Sequence, residues 1–300
     1  MAKLRILVSL ITEDNDYQRE QASSAKSAAV QSGVDLEILY AGNDAITQST
    51  QLLKAIQADP SIRPNGIVVE PLGATPFPKV AATAVDARVG WAVINRQADY
   101  VPQMRQNAES PIFSVNINQM EIGRIQAAQM AALLPRGGTA LFVQGPSVSS
   151  VARERHEGLR AALPPGIQLV NLRGKWTEES GYQAVCSWMK LMTAQKIKVD
   201  LITAQNDAMA VGARKAMTEL TDAENRDLVS HIPVTGCDGV PGTGQTWVRA
   251  GRMTATVVVP PTAGKALAMM ASSLQTRVPP SENTLISPEP YPAIDSLKLR

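Results

Sequence analysis

The sequence predicts an α/β protein of two similar lobes, each built on a parallel sheet with helices packed against it. Short apolar runs of strand length alternate with stretches of helical periodicity almost throughout, which is the signature of βαβ units. The chain has 300 residues, and single cores stop growing near about 250–300 residues, so two lobes are expected. Four strand–helix units precede residue 100, the rhythm breaks in the polar, two-proline stretch from Tyr100 to Pro111, and a second run fills residues 118–250.

The first strand is the apolar run at residues 4–10. Further strands are expected at 35–40, 66–70, 91–95, 139–144, 167–172, 199–204, 232–237, 253–259 and 284–288. Between them Ile46, Leu52, Leu53 and Ile56 recur at helical spacing, as do Ile122, Ile125, Ala128 and Ala132, each set marking a buried stripe. Gly33 and Pro60 end their helices. The tail, with Pro279, Pro280, Pro288, Pro290 and Pro292, is too rich in proline for a helix or a central strand and reads as a crossing segment plus an edge.

Hydrophobic content is 44% and charged content 19%, ordinary for a globular chain. The net charge of +2 comes without a lysine or arginine block, so nucleic acid is not an expected partner. No apolar run approaches the roughly 18 residues that cross a bilayer. The opening Lys3–Ile11 run flows directly into Thr12, Glu13 and Asp14 and reads as a buried strand rather than a signal peptide, which leaves a processed protein and a cytoplasmic one both open. Cys186 and Cys237 make neither a metal nor a redox spacing. His156 and His231 stand beside no serine or cysteine nucleophile, and the Gly236–Gly244 stretch lacks the Lys-Ser/Thr that grips phosphate, so catalytic, metal and nucleotide readings are weak.

Candidate function lies in segments at the carboxyl ends of the expected strands, where open α/β sheets bind their ligands. Asn95-Arg96 supplies an amide and a rigid cationic fork, suited to adjacent hydroxyls or a ring oxygen. Arg155 precedes Gly158, a point where another element can approach, whereas Arg153 reads as structural. Of the pair Asn206-Asp207, Asp207 is the expected helix N-cap, leaving Asn206 to face the crevice. Asp238 before Gly239 is either a turn residue or a carboxylate anchor for two hydroxyls. Tyr17 and Trp176 follow strands and offer aromatic faces for the C–H side of a sugar ring.

Three motifs, Ala152-Arg153-Glu154-Arg155-x-x-Gly158, Ala204-Gln205-Asn206-Asp207-x-Met209-Ala210 and Gly236-x-Asp238-Gly239, occur in an order and spacing that resemble the type I periplasmic binding proteins, in their ribose- and sugar-binding branch. The likeness spans nearly the whole chain. It implies two Rossmann-like lobes joined by three crossovers near residues 116, 259 and 283, hence lobes of 1–116 plus 260–283 and 117–259 plus 284–300. It also implies a ligand-binding set of Asn15, Tyr17, Asn95, Arg96, Arg155, Trp176, Asn206 and Asp238. By the same resemblance the protein is a monomer of the periplasm that closes on a monosaccharide or sugar-like ligand, uses no cofactor, performs no chemistry and passes its cargo to the permease of an ABC transporter.

The chain departs from the ribose binder in four places. Asn95 stands where that binder has Asp, Gln18 and Cys237 where it has aromatics, and Val259 where it has glutamine. Ribose itself is thereby less favoured than the general small-polar-ligand role. Lactose-repressor-like regulators share the fold but carry about 60 further N-terminal residues with a DNA-reading helix, and this chain begins at its first strand. A sensor that shows its closed form to a receptor or kinase, and a two-lobed sugar-acting enzyme, are the alternative readings.

Overall fold

The computed structural model describes residues 3–73, 77–106, 108–191, 197–221 and 229–297. Two compact units emerge, Met1–Ile117 with Pro260–Ile286, and Asn118–Val259 with Ser287–Arg300.

The first unit runs β1 (Arg5–Leu10), α1 (Asp16–Ser32), β2 (Asp35–Tyr40), α2 (Ala45–Ile56), β3 (Gly66–Val69), α3 (Phe77–Asp86), β4 (Gly90–Ile94), α4 (Val101–Arg105) and β5 (Ile112–Ile117). In the second unit follow α5 (Gln119–Leu133), β6 (Gly138–Gln144), α6 (Ser150–Ala162), β7 (Ile167–Arg173), α7 (Glu178–Met189), β8 (Leu201–Ala204), α8 (Asp207–Leu220), β9 (Val234–Thr235), α9 (Gly244–Arg249) and β10 (Thr256–Val258). The chain returns to the first unit as α10 (Ala263–Thr276) and β11 (Asn283–Ile286), and ends in the second as β12 (Glu289–Tyr291).

The first unit's sheet has the order β11-β5-β4-β3-β1-β2, with every pairing parallel. Its central strands are buried on both faces, and their side chains alternate between two cores. Ile6, Val8 and Leu10 join Ala22, Ala25 and Ala29 of α1 and Ala266, Leu267 and Met270 of α10. Leu7 packs on the other side with Leu52 and Ile56 of α2 and Phe77 and Val80 of α3. Period-two alternation with apolar residues on both faces is what a parallel sheet sandwiched by helices requires.

Several sequence expectations are corrected here. β5 was not expected, because Pro111 immediately before it reads as a breaker. Proline is tolerated ahead of a strand's first residue, and the Pro111 carbonyl accepts from Trp91 N at 2.8 Å. On α2 the buried stripe is Gln48, Leu52 and Ile56, whereas Ile46 is 75% exposed. Gln48 wins its inward place by donating to Ser9 Oγ at 3.0 Å and to the Glu70 carbonyl at 2.9 Å. The strand at 284–288 was assigned to the second lobe, yet β11 pairs in parallel with β5, so the last crossing falls after Ile286 rather than near 283.

The second unit's main sheet is parallel, in the order β7-β6-β8-β9. Beside it β10 and β12 form an antiparallel pair, a departure from purely parallel sheets that comes from the chain's proline-rich end folding back on β10. In this unit glycine permits helices to touch backbone to backbone. A Cβ at Gly158 of α6 would overlap the Met120 carbonyl of α5, and one at Gly123 would overlap the Arg155 carbonyl.

Replacing Gly158 with alanine should therefore force α5 and α6 apart and destabilise the protein by about 1–3 kcal/mol, the usual cost of overpacking. Urea unfolding followed by circular dichroism measures this. A change below a few tenths of a kcal/mol would mean that the helices yield freely.

Candidate functional site

Two polar clusters form at carboxyl strand ends, one inside each unit. In the first unit Asn95 follows β4 with φ 56°, a left-handed conformation that asparagine accepts more readily than most residues. Its Nδ2 donates to Glu70 Oε1 at 2.9 Å, and the other oxygen, Oε2, accepts from Gln18 Nε2 at 2.7 Å. Arg96 Nη2 lies 3.9 Å from Glu70 Oε1. Asn15 is the N-cap of α1, its side chain accepting from Gln18 N at 2.9 Å. Tyr17 is buried, and its hydroxyl donates to the Pro260 carbonyl at 3.4 Å.

Glu70 is the residue that sequence reasoning missed here. It directly follows β3 and is 1% exposed. The available signal was a carboxylate ending an otherwise apolar strand, Gly66-Ile67-Val68-Val69-Glu70, where only a strong local reason keeps an acid.

The second unit's cluster is centred on Arg155 of α6, which is 3% exposed. Its Nε donates to Gln119 Oε1 at 2.9 Å and its Nη1 to the Gln205 carbonyl at 2.6 Å. Nη1 also lies 3.7 Å from Asp238 Oδ1, and the guanidinium carbon sits 5.9 Å from the centroid of the Trp176 ring. Arg153, by contrast, is on the surface, 3.9 Å from Glu157.

The cap expected of Asp207 is made by Asn206. Asn206 is the N-cap of α8, its Oδ1 accepting from Met209 N at 2.9 Å, while its Nδ2 donates to the Trp176 carbonyl at 2.9 Å. Asp207 instead points into the unit, accepting from Gly239 N at 2.8 Å and Thr256 Oγ1 at 2.6 Å. A cap needs an extended residue just before the first turn, and Asn206 has it, with φ −150° and ψ 166°.

Among the described non-glycine residues, positive φ occurs at Asn43, Arg88, Asn95, Trp176, Asp238 and Arg277. Three of these belong to the candidate set. For Trp176 at φ 68° and Asp238 at φ 101° the conformation is costly, and such strain concentrates where a side chain must be aimed.

Burial pushes the Cys237 thiol up, so it is an inert core group. His156 accepts from Gln144 Nε2 at Nδ1 (3.2 Å) and stacks on Phe142, and burial with Arg160 and Arg173 nearby lowers its pKa. Among the described residues no group of three or more His, Cys, Asp and Glu side chains is placed to hold a metal ion, and no helix is long and apolar enough to cross a membrane.

The model of the periplasmic binding protein domain matches residues 6–276, and the chain belongs to that family. A putative rhizopine-binding protein of Rhizobium meliloti is 27% identical over 193 residues, which cover 62% of this chain and 58% of that protein. The ribose import binding protein of Salmonella typhimurium is 26% identical over 258 residues, covering 86% of this chain and 79% of that protein. A crystal structure of a periplasmic solute-binding protein of an ABC transporter from Actinobacillus succinogenes, with bound D-allose, superposes with a TM-score of 0.81 at 20% identity, covering 98% of this chain and 99% of the other. The fold is thus that of the type I periplasmic binding proteins.

Asp207 generates a pH prediction. Burial first, and then the neighbouring Asp238 carboxylate, hold its carboxyl well above the ordinary value of 3.8. The folded protein keeps a proton there that the unfolded chain has already released, so this group erodes stability as pH rises above about 4. Asp207→Asn lacks that titration. Its stability relative to the wild type should improve in urea unfolding as pH rises from about 4 until Asp207 ionises in the folded protein, and a difference that is flat with pH would show that Asp207 titrates normally.

Proposed function

We propose that this chain is a solute-binding protein that captures a monosaccharide or a sugar-like polyol without transforming it, and delivers it to the membrane permease of an ABC transporter. The observation that carries the reading is the Arg155 cluster. A desolvated guanidinium, a carboxylate 3.7 Å away and an indole ring 5.9 Å away meet at strand ends. Guanidinium and carboxylate satisfy hydroxyls as donor and acceptor, and an indole face takes the apolar side of a sugar ring.

The enzyme alternative needs two titratable groups of opposed protonation near neutral pH within reach of one substrate. Asp207, the carboxyl that burial keeps protonated beside Asp238, is itself buried and spends both oxygens on Gly239 N and Thr256 Oγ1, and Glu70 spends both of its own on Asn95 and Gln18, so neither is open to proton exchange with a substrate. The relatives being binding proteins supports the same choice, and it supports a periplasmic location.

Thermal-shift screening against pentoses, hexoses and inositols tests the reading, since ligand at one hundredfold above Kd adds about 2.7 kcal/mol of apparent stability. Silence across the panel, or recovery of altered ligand, overturns it. Asp238→Ala should weaken binding roughly five- to two-hundredfold, because a charged partner loses its mate at a desolvated site. Arg155→Ala should do the same in protein whose circular dichroism is unchanged. Arg153→Ala, on the surface beside Glu157, should bind as the wild type does.

A further inference from the structure

Glu70 is a puzzle as a purely structural residue. Its side chain is 2% exposed, and burying a carboxylate costs several kcal/mol unless donors replace its water. The donors that do so come from separate strand ends. Gln18 Nε2 reaches Oε2 at 2.7 Å from the start of α1, and Asn95 Nδ2 reaches Oε1 at 2.9 Å from the end of β4. Arg96, the next residue in the chain, brings Nη2 to 3.9 Å from the same Oε1. Glu70 is itself fixed by its main chain, with its N donating to the Ser9 carbonyl at 3.0 Å and its carbonyl accepting from Gln48 at 2.9 Å.

An amide has two unlike ends, and a carboxylate accepts only. A carboxylate behind Asn95 therefore dictates which end of that amide turns inward. We propose that Glu70 is a specificity-determining positioning residue of the first unit, setting the hydrogen-bond polarity of Asn95 and offsetting the charge of Arg96. This inference rests on the sugar-capture reading and deepens it. With one Nδ2 hydrogen given to Glu70, the Asn95 amide turns its carbonyl end away from the buried acid and brings no charge of its own. With Glu70 beside Arg96, the cluster carries one cation and one anion. The ligand class matched to it is uncharged and hydroxyl-bearing, so sugar acids, sugar phosphates and amino sugars are disfavoured.

A swap of polarity tests this. Glu70→Gln is isosteric but sets an NH2 against one of two incoming NH2 groups, so either Gln18 or Asn95 must turn. Adding Asn95→Asp makes that NH2 a proper donor to a carboxylate and restores the formal charge of the cluster. In ligand-free protein, Glu70→Gln and Asn95→Asp should each lower Tm by a few degrees, and the double variant should regain most of the loss. In calorimetry with D-ribose, D-allose and myo-inositol as probes, Glu70→Gln should weaken whichever the wild type binds by about tenfold or more, with recovery in the double variant. A packing role alone would leave the two substitutions additive in Tm, which overturns the proposal. Binding of a sugar acid or amino sugar in preference to the neutral probes would overturn the ligand class. Should the wild type bind none of the three neutral probes, the sugar reading fails for them, while the melting cycle still decides whether Glu70 orients Asn95.

Discussion

A guanidinium does not leave water unless its N–H groups find acceptors, and Arg155 has left it almost completely. Meeting that demand recruits Gln119 from the start of α5, the Gln205 carbonyl at the end of β8, Asp238 after β9 and the Trp176 ring before α7. Those acceptors are in turn held by bonds that no sequence pattern advertises. Gln205 donates to the Ala152 carbonyl and accepts from Gly145 N, and Asn206 steadies Trp176 by its carbonyl. Asp207 ties the Gly239 amide and Thr256 together, so the turn that carries Asp238 is pinned from beneath. One buried charge thus organises the start of α5 and three strand-end segments of the second unit.

The first unit solves a related problem with the charges differently distributed. There the fully buried ion is the acid, at the end of β3, while the arginine at the end of neighbouring β4 keeps part of its side chain in solvent and the Asn95 amide bonds to the acid beside it. The side chain most exposed to chemical choice, Asn95, is neutral, and the ionic group that controls it is hidden. Buried ion pairs contribute little net stability compared with apolar packing of the same volume, so their retention points to orientation rather than to strength.

Much of this was legible in the amino-acid order. Alternating apolar runs mark the strands because a parallel sheet buries both faces, and the motifs around Arg155, Asn206 and Asp238 mark the second cluster because each directly follows a strand or opens a helix. What stayed hidden depends on partners distant in sequence. Glu70 becomes meaningful only once Gln18 and Asn95, 52 and 25 positions away, arrive beside it. Gln48 outcompetes Ile46 for the interior because Ser9 and the Glu70 carbonyl await it, which no helical period can reveal. That Asn206 caps α8 while Asp207 is buried turns on a single backbone conformation and on Thr256, 49 positions beyond Asp207. Strand β5 was lost to a proline that constrains only its threshold.

The glycine contact between α5 and α6 carries a consequence for how such a protein diversifies. The carbonyl pressed against Gly123 is that of Arg155 itself, and Met120, which meets Gly158, is next to Gln119, the partner of the Arg155 guanidinium. Placement of the arginine is therefore inherited from a helix-to-helix distance that side-chain changes at the ligand do not touch. An exchange of the Trp176 ring, 5.9 Å from the guanidinium carbon, would change what faces the arginine without moving the backbone that places it.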